Sequence, residues 1–152
     1  ARLKPSFNCA TVFAIGINDS AYEKSAARDG RRVALDRSLD NVADMLIQAR
    51  DFGPVLWVGT TPVIEAMMPI TRIPGVSYDF RNETIDEYSR AYTAKAAKLN
   101  VPYLDLFTPL AADPRWDESL RETDGLHPNA SGYKLMAALI CDWADWRALF
   151  DG

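Results

Sequence analysis

The chain has 152 residues, 48% hydrophobic, 11% aromatic and 25% charged. That balance fits one globular domain over residues 1–152 and excludes a disordered chain, a collagen-like repeat and a disulfide-rich miniprotein. A net charge of −4 argues against a nucleic-acid partner, which draws on a surplus of Lys and Arg.

In chain order, the first predicted element is a strand over residues 10–17, a nearly unbroken apolar run that ends at Asn18-Asp19. A polar connection, residues 20–32, carries the turn signal Asp29-Gly30. Leu35, Leu39, Val42, Leu46 and Ala49 then lay an apolar stripe along one helix face, and Gly53-Pro54 ends that helix. The second strand spans residues 54–59. Residues 63–81 form a long connection that mixes Met67-Met68-Pro69 with Ile73-Pro74-Gly75. It reads equally as a surface excursion packed by its own apolar residues and as a wall of a substrate cleft. The second helix places Ile85, Tyr88, Tyr92, Ala96 and Leu99 on one face, with Asn82 as N-cap, and stops at Asn100-Val101-Pro102. A third strand is predicted over residues 101–107. The last helix starts near Pro128-Asn129-Ala130 and runs to about Phe150, with Tyr133, Met136, Ile140, Trp143 and Arg147 on one face.

Continuous apolar strands suit a parallel sheet covered on both faces, and the β-α-β-α-β-α order implies right-handed crossovers in a layered α/β fold. The first strand is apolar enough to be central, yet only two others are available to flank it. More sheet is therefore expected on that side, from an amino-terminal segment of the same gene product or a second chain. The chain starts at Ala1 and not at Met, as a processed or shortened product would. No apolar run or leader pattern predicts a membrane span or export, which leaves a cytoplasmic expectation. Cys9 and Cys141 have apolar neighbours and are expected as buried free thiols.

Two short patterns carry chemistry. In Asp124-Gly125-Leu126-His127-Pro128, Gly125 permits a tight turn that brings the Asp124 carboxylate to Nδ1 of His127, the chain's one histidine. The pairing fixes the tautomer and leaves Nε2 to take a proton. By itself the spacing fits better with Asp124 as a cap of the last helix and His127 packed beside it. In Gly16-Ile17-Asn18-Asp19, a carboxamide at the carboxyl end of a strand is placed to donate to a developing oxyanion. Simple turn chemistry accounts for that motif alone, and Asp19 is expected to hold the loop through backbone N–H groups. Metal catalysis is poorly supported, with one His and no Cys or carboxylate cluster at ligand spacing, and no cofactor is expected.

The two patterns together, in this order, resemble the GDSL/SGNH hydrolase family. Gly16-Ile17-Asn18-Asp19 is similar to its third block and Asp124-x-x-His127-Pro128 to its fifth, over residues 11–146. The resemblance implies a three-layer α/β/α, flavodoxin-like sandwich with a parallel sheet of order 2-1-3-4-5, its first strands missing from this chain. It implies Asn18 as oxyanion donor, His127 as general base and acid, Asp124 as its orienter, and a small ester as substrate. It also implies a Gly-Asp-Ser nucleophile block, which this chain lacks upstream of Asn18. Ser6 has no Gly-Asp before it, Ser20 lies where the family has no nucleophile, and Ser131, in the first turn of the last helix, is expected to serve its local backbone. The chain thus reads as the carboxyl-terminal part of a serine ester hydrolase. The alternatives are an inactive binding module that keeps the site's outline and, less well supported, a flavodoxin- or receiver-like domain.

Overall fold

The computed structural model describes residues 9–150. Three strands, β1 (Thr11–Ala14), β4 (Val55–Val58) and β7 (Tyr103–Leu104), form a parallel sheet in the order β1-β4-β7. All four residues of β4 are buried, because helices cover both of its faces. On one face α1 (Leu35–Ala49) and α2 (Asn82–Lys98) contribute Val42, Leu46, Ala49, Tyr88, Tyr92 and Ala96 to a core around Val55 and Trp57. These residues include most of the two predicted stripes. On the other face Val58 meets a core drawn from α3 (Phe107–Ala111), α4 (Pro114–Arg121) and α5 (Ala130–Asp142), centred on Trp116, Leu110 and Leu120. The result is the expected α/β/α layering around a parallel sheet.

β1 is an edge strand. Among the described residues it pairs with β4 alone, and its exposure alternates along the strand, with Val12 41% exposed. Phe13 packs into the α1/α2 core, while Val12 and Ala14 point away uncovered. An apolar strand with one free edge and one bare face is what the shortage of flanking strands predicts.

Several expectations are corrected. The two long connections are not simply loops: they hold β2 (Tyr22–Lys24), β3 (Asp29–Arg31), β5 (Ile70–Ile73) and β6 (Val76–Asp79), an antiparallel sheet in the order β3-β2-β6-β5. Its strands are three or four residues long and none of their residues is fully buried, so no apolar run marks them. The third strand of the parallel sheet shrinks to two residues, because Leu106 and Phe107 turn away into α3. Asn82 is the first residue of α2 and not its cap. Its carboxamide bridges to Val63 instead, accepting from the N–H and donating to the C=O at 2.9 Å each, while Glu65 Oε1 accepts the Asn82 N–H at 2.6 Å.

The last helix breaks at Trp143, whose backbone is extended, and resumes as α6 (Ala144–Arg147). The inner face of α5 is Leu135, Met136, Leu139 and Ile140, so Tyr133 is left 54% exposed. Cys141 lies on the outer side of α5 and is exposed, while Cys9 is half-buried with its thiol donating to the Phe52 carbonyl; neither is fully buried as expected. Ser6 lies outside the described residues.

Candidate active site

The path from β1 to Asn18 turns on Gly16. Its φ of 122° lies in the region that favours glycine, and a Cβ there would stand 2.5 Å from Cε2 of Tyr92. The chain then enters a short 3-10 turn, Ile17–Ser20, with the Asp19 N–H donating to the Gly16 carbonyl at 3.1 Å. Asp19 is tied to a side chain and not, as expected, to backbone N–H groups. Ser38 Oγ on α1 donates to its carboxylate at 2.6 Å, and the Tyr92 hydroxyl lies 2.7 Å from the same Oγ. Ser38 and Tyr92 are fully buried, and burial pushes the Tyr92 phenol well above its ordinary range. The anchor is thus buried while Asn18, one residue away, is exposed.

The Asp124–His127 loop is held from beneath. Leu126 is buried among Val63, Phe80 and Ile85, and the Gly125 carbonyl accepts from Ile64 N–H at 2.9 Å. Gly125 adopts a φ of 77°, as its role in a tight turn requires. Asp124 Oδ1 accepts the backbone N–H groups of Leu126 and His127 at 3.1 and 2.8 Å, and Oδ2 lies 2.9 Å from His127 Nδ1. Asp124 does not cap the last helix. Asn129 does, accepting from Ser131 and Gly132 N–H at 2.8 and 3.2 Å. Partial burial pushes the Asp124 carboxyl up. The His127 backbone N–H, the Arg72 guanidinium, the His127 ring and the Leu126 N–H together outweigh that effect and hold it well below the usual carboxylate range.

The two motifs meet. Asn18 and His127 line one cavity of about 160 Å³, with Ile17, Leu126, Tyr133 and Met136 among its other walls. Asp124 stands on the Nδ1 side of the ring, and Nε2 has no hydrogen-bond partner among the described residues. Ser20 is fully buried with its hydroxyl donating to the Ile17 carbonyl at 2.7 Å, and Ser131 Oγ donates to Asn129 Oδ1 at 2.6 Å. Both serines are therefore engaged locally.

One residue at the site has no counterpart in the sequence reading. Arg72, on β5, places a guanidinium NH₂ 2.5 Å from Asp124 Oδ2 and 3.0 Å from His127 Nδ1. The 63–81 connection therefore reaches the Asp124–His127 pair from the Nδ1 side, while none of its residues lines the cavity shared by Asn18 and His127. The sequence separation of 52 residues and the exposed position of β5 leave nothing in the sequence that would link the two.

The family model of the GDSL-like lipase/acylhydrolases matches residues 1–135, and the chain belongs to this family. Three solved structures share its fold. A lipase/acylhydrolase from Enterococcus faecalis is 24% identical with a TM-score of 0.63, over 85% of this chain and 57% of that one. A GDSL-like lipase from Bacteroides thetaiotaomicron is 21% identical with a TM-score of 0.60, over 91% and 60%. A putative acylhydrolase from Bacteroides fragilis is 20% identical with a TM-score of 0.62, over 92% and 62%. This chain thus spans about three-fifths of the length of those proteins. No curated protein matches it significantly. Among the described residues no helix is long and apolar enough to cross a membrane.

Proposed function

We propose that the chain carries the acid–base dyad and one oxyanion donor of a serine ester hydrolase, whose nucleophile lies outside these residues. The observation that carries this reading is the shared cavity of Asn18 and His127, with Asp124 paired to the far side of the ring. A seryl Oγ attacks the ester carbonyl while His127 Nε2 takes its proton. Asn18 Nδ2 donates to the oxyanion of the tetrahedral intermediate. The intermediate collapses to an acyl-enzyme, and the imidazolium returns the proton to the departing alcohol. Water then attacks the acyl-enzyme, giving its proton to Nε2, and the second collapse releases the acid and restores the serine. The substrate is a small or medium acyl or acetyl ester.

The edge of β1 that is unpaired among the described residues is where an amino-terminal segment or a second chain adds the strand that completes the sheet and brings the serine. The test is p-nitrophenyl acetate hydrolysis by the intact gene product, with and without His127→Ala. The substitution is expected to lower kcat by several orders of magnitude, and unchanged turnover ends the mechanism.

A second reading, an inactive module, draws on the local engagement of Ser20 and Ser131. Fluorophosphonate separates the two. A labelled serine outside residues 9–150 supports the hydrolase, and folded protein without label supports the module.

A further inference from the structure

Nδ1 of His127 has one position to offer: it carries a proton or a lone pair. Asp124 Oδ2, at 2.9 Å, is an acceptor and calls for the proton, while Arg72, at 3.0 Å, is donor-only and calls for the lone pair. The two demands on one atom are incompatible. The Arg72–Asp124 contact, by contrast, is compatible with either tautomer. Arg72 reaches the pair from the second sheet, and its side chain is 61% exposed, so no packing compels it to stand there.

We propose that Arg72 is a positioning residue that restrains the His127–Asp124 pair. By sharing the carboxylate and standing against Nδ1, it opposes both the Nδ1–H tautomer and the protonated ring. Movement of Arg72 off the ring releases the pair to its base-competent form. The groups that face the ring are Asp124 from its own loop, Arg72 from β5 and the Tyr133 phenol, which lines the same cavity from α5. Among the described residues no other charged side chain is hydrogen-bonded or ion-paired to it. The catalytic consequence rests on the hydrolase reading above; the effect on the ring does not.

A single histidine makes the test direct. Long-range ¹H–¹⁵N spectra of the imidazole, recorded against pH, report both its tautomer and its titration midpoint. Arg72→Met is expected to increase the Nδ1–H form and to move the midpoint to higher pH, because a cation beside the ring is removed. Asp124→Asn is expected to move the midpoint the opposite way, and Arg72→Lys, which keeps the charge, to restore most of the wild-type value. An unchanged or lowered midpoint in Arg72→Met overturns the proposal. The acidic limb of kcat/KM in the intact gene product should follow the ring. If Arg72→Met moves the ring and turnover is indifferent to His127→Ala, the hydrolase reading fails and the restraint stands. If His127→Ala abolishes turnover and Arg72→Met leaves the ring unmoved, the restraint fails and the hydrolase reading stands.

Discussion

Gly16→Ala tests how the end of β1 aims Asn18. An alanine Cβ at a φ of 122° incurs backbone strain of about 1–3 kcal/mol and meets Tyr92 Cε2 at 2.5 Å. The ring has little room to yield, because its centroid lies 4.8 Å from the tilted ring of Trp57 and 6.0 Å from the edge-on ring of Tyr88, with its hydroxyl held by Ser38. Overpacking adds about 1–3 kcal/mol, for a loss of roughly 4 kcal/mol in all. With a urea m-value of about 2 kcal/mol per M, the unfolding midpoint falls by about 2 M. The same urea titration on Tyr92→Ala and on the double variant separates the two contributions, since removing the ring relieves the clash and leaves the strain. The double variant should be more stable than the sum of the singles by about 1–3 kcal/mol. Strict additivity, or a midpoint close to wild type in Gly16→Ala, would refute the argument.

Asn18→Ala in the intact gene product should lower kcat by about 10²–10³ with little change in KM, read from steady-state ester hydrolysis. Asp124 has a folded-state pKa depressed below its unfolded value, so its contribution to stability is fully present above the unfolded value and is lost as pH falls toward the folded one. Urea midpoints of wild type and Asp124→Asn should therefore differ by a constant amount above about pH 5, and the gap should narrow progressively as pH falls below about 4 toward the depressed folded-state value. Exposed Cys141 should react with a disulfide reagent in the native protein well before half-buried Cys9, seen as two phases in a thiol titration that Cys141→Ser reduces to one.

The layered core was legible because its signals are local. The unbroken run at β4 and the stripes Val42-Leu46-Ala49 and Tyr88-Tyr92-Ala96 report burial directly, and each of these residues is buried. The edge position of β1 was legible for a subtler reason, since an apolar strand with too few neighbours implies missing sheet. The second sheet was not legible, because Tyr22-Glu23-Lys24 and Asp29-Gly30-Arg31 are strands through their pairing partners and not through their own composition. α4 carried a signal that could have found it: Asp113 followed by Pro114 is an N-cap and first-turn pair, and the Asp113 side chain accepts the Arg115 N–H. The pairing of Asp124 with His127 follows from a three-residue spacing across Gly125. The presence of Arg72 beside them depends on a sheet that brings distant residues together, and no local pattern encodes that.

The account rests on Asn18 and His127 serving one reacting centre. A crystal structure of the intact gene product after fluorophosphonate treatment tests this most directly. The phosphonyl group is predicted on a serine beside β1, with its oxygen accepting from Asn18 Nδ2 and with His127 Nε2 within hydrogen-bond reach of the modified Oγ. A phosphonyl group elsewhere, or one that touches neither side chain, would contradict it.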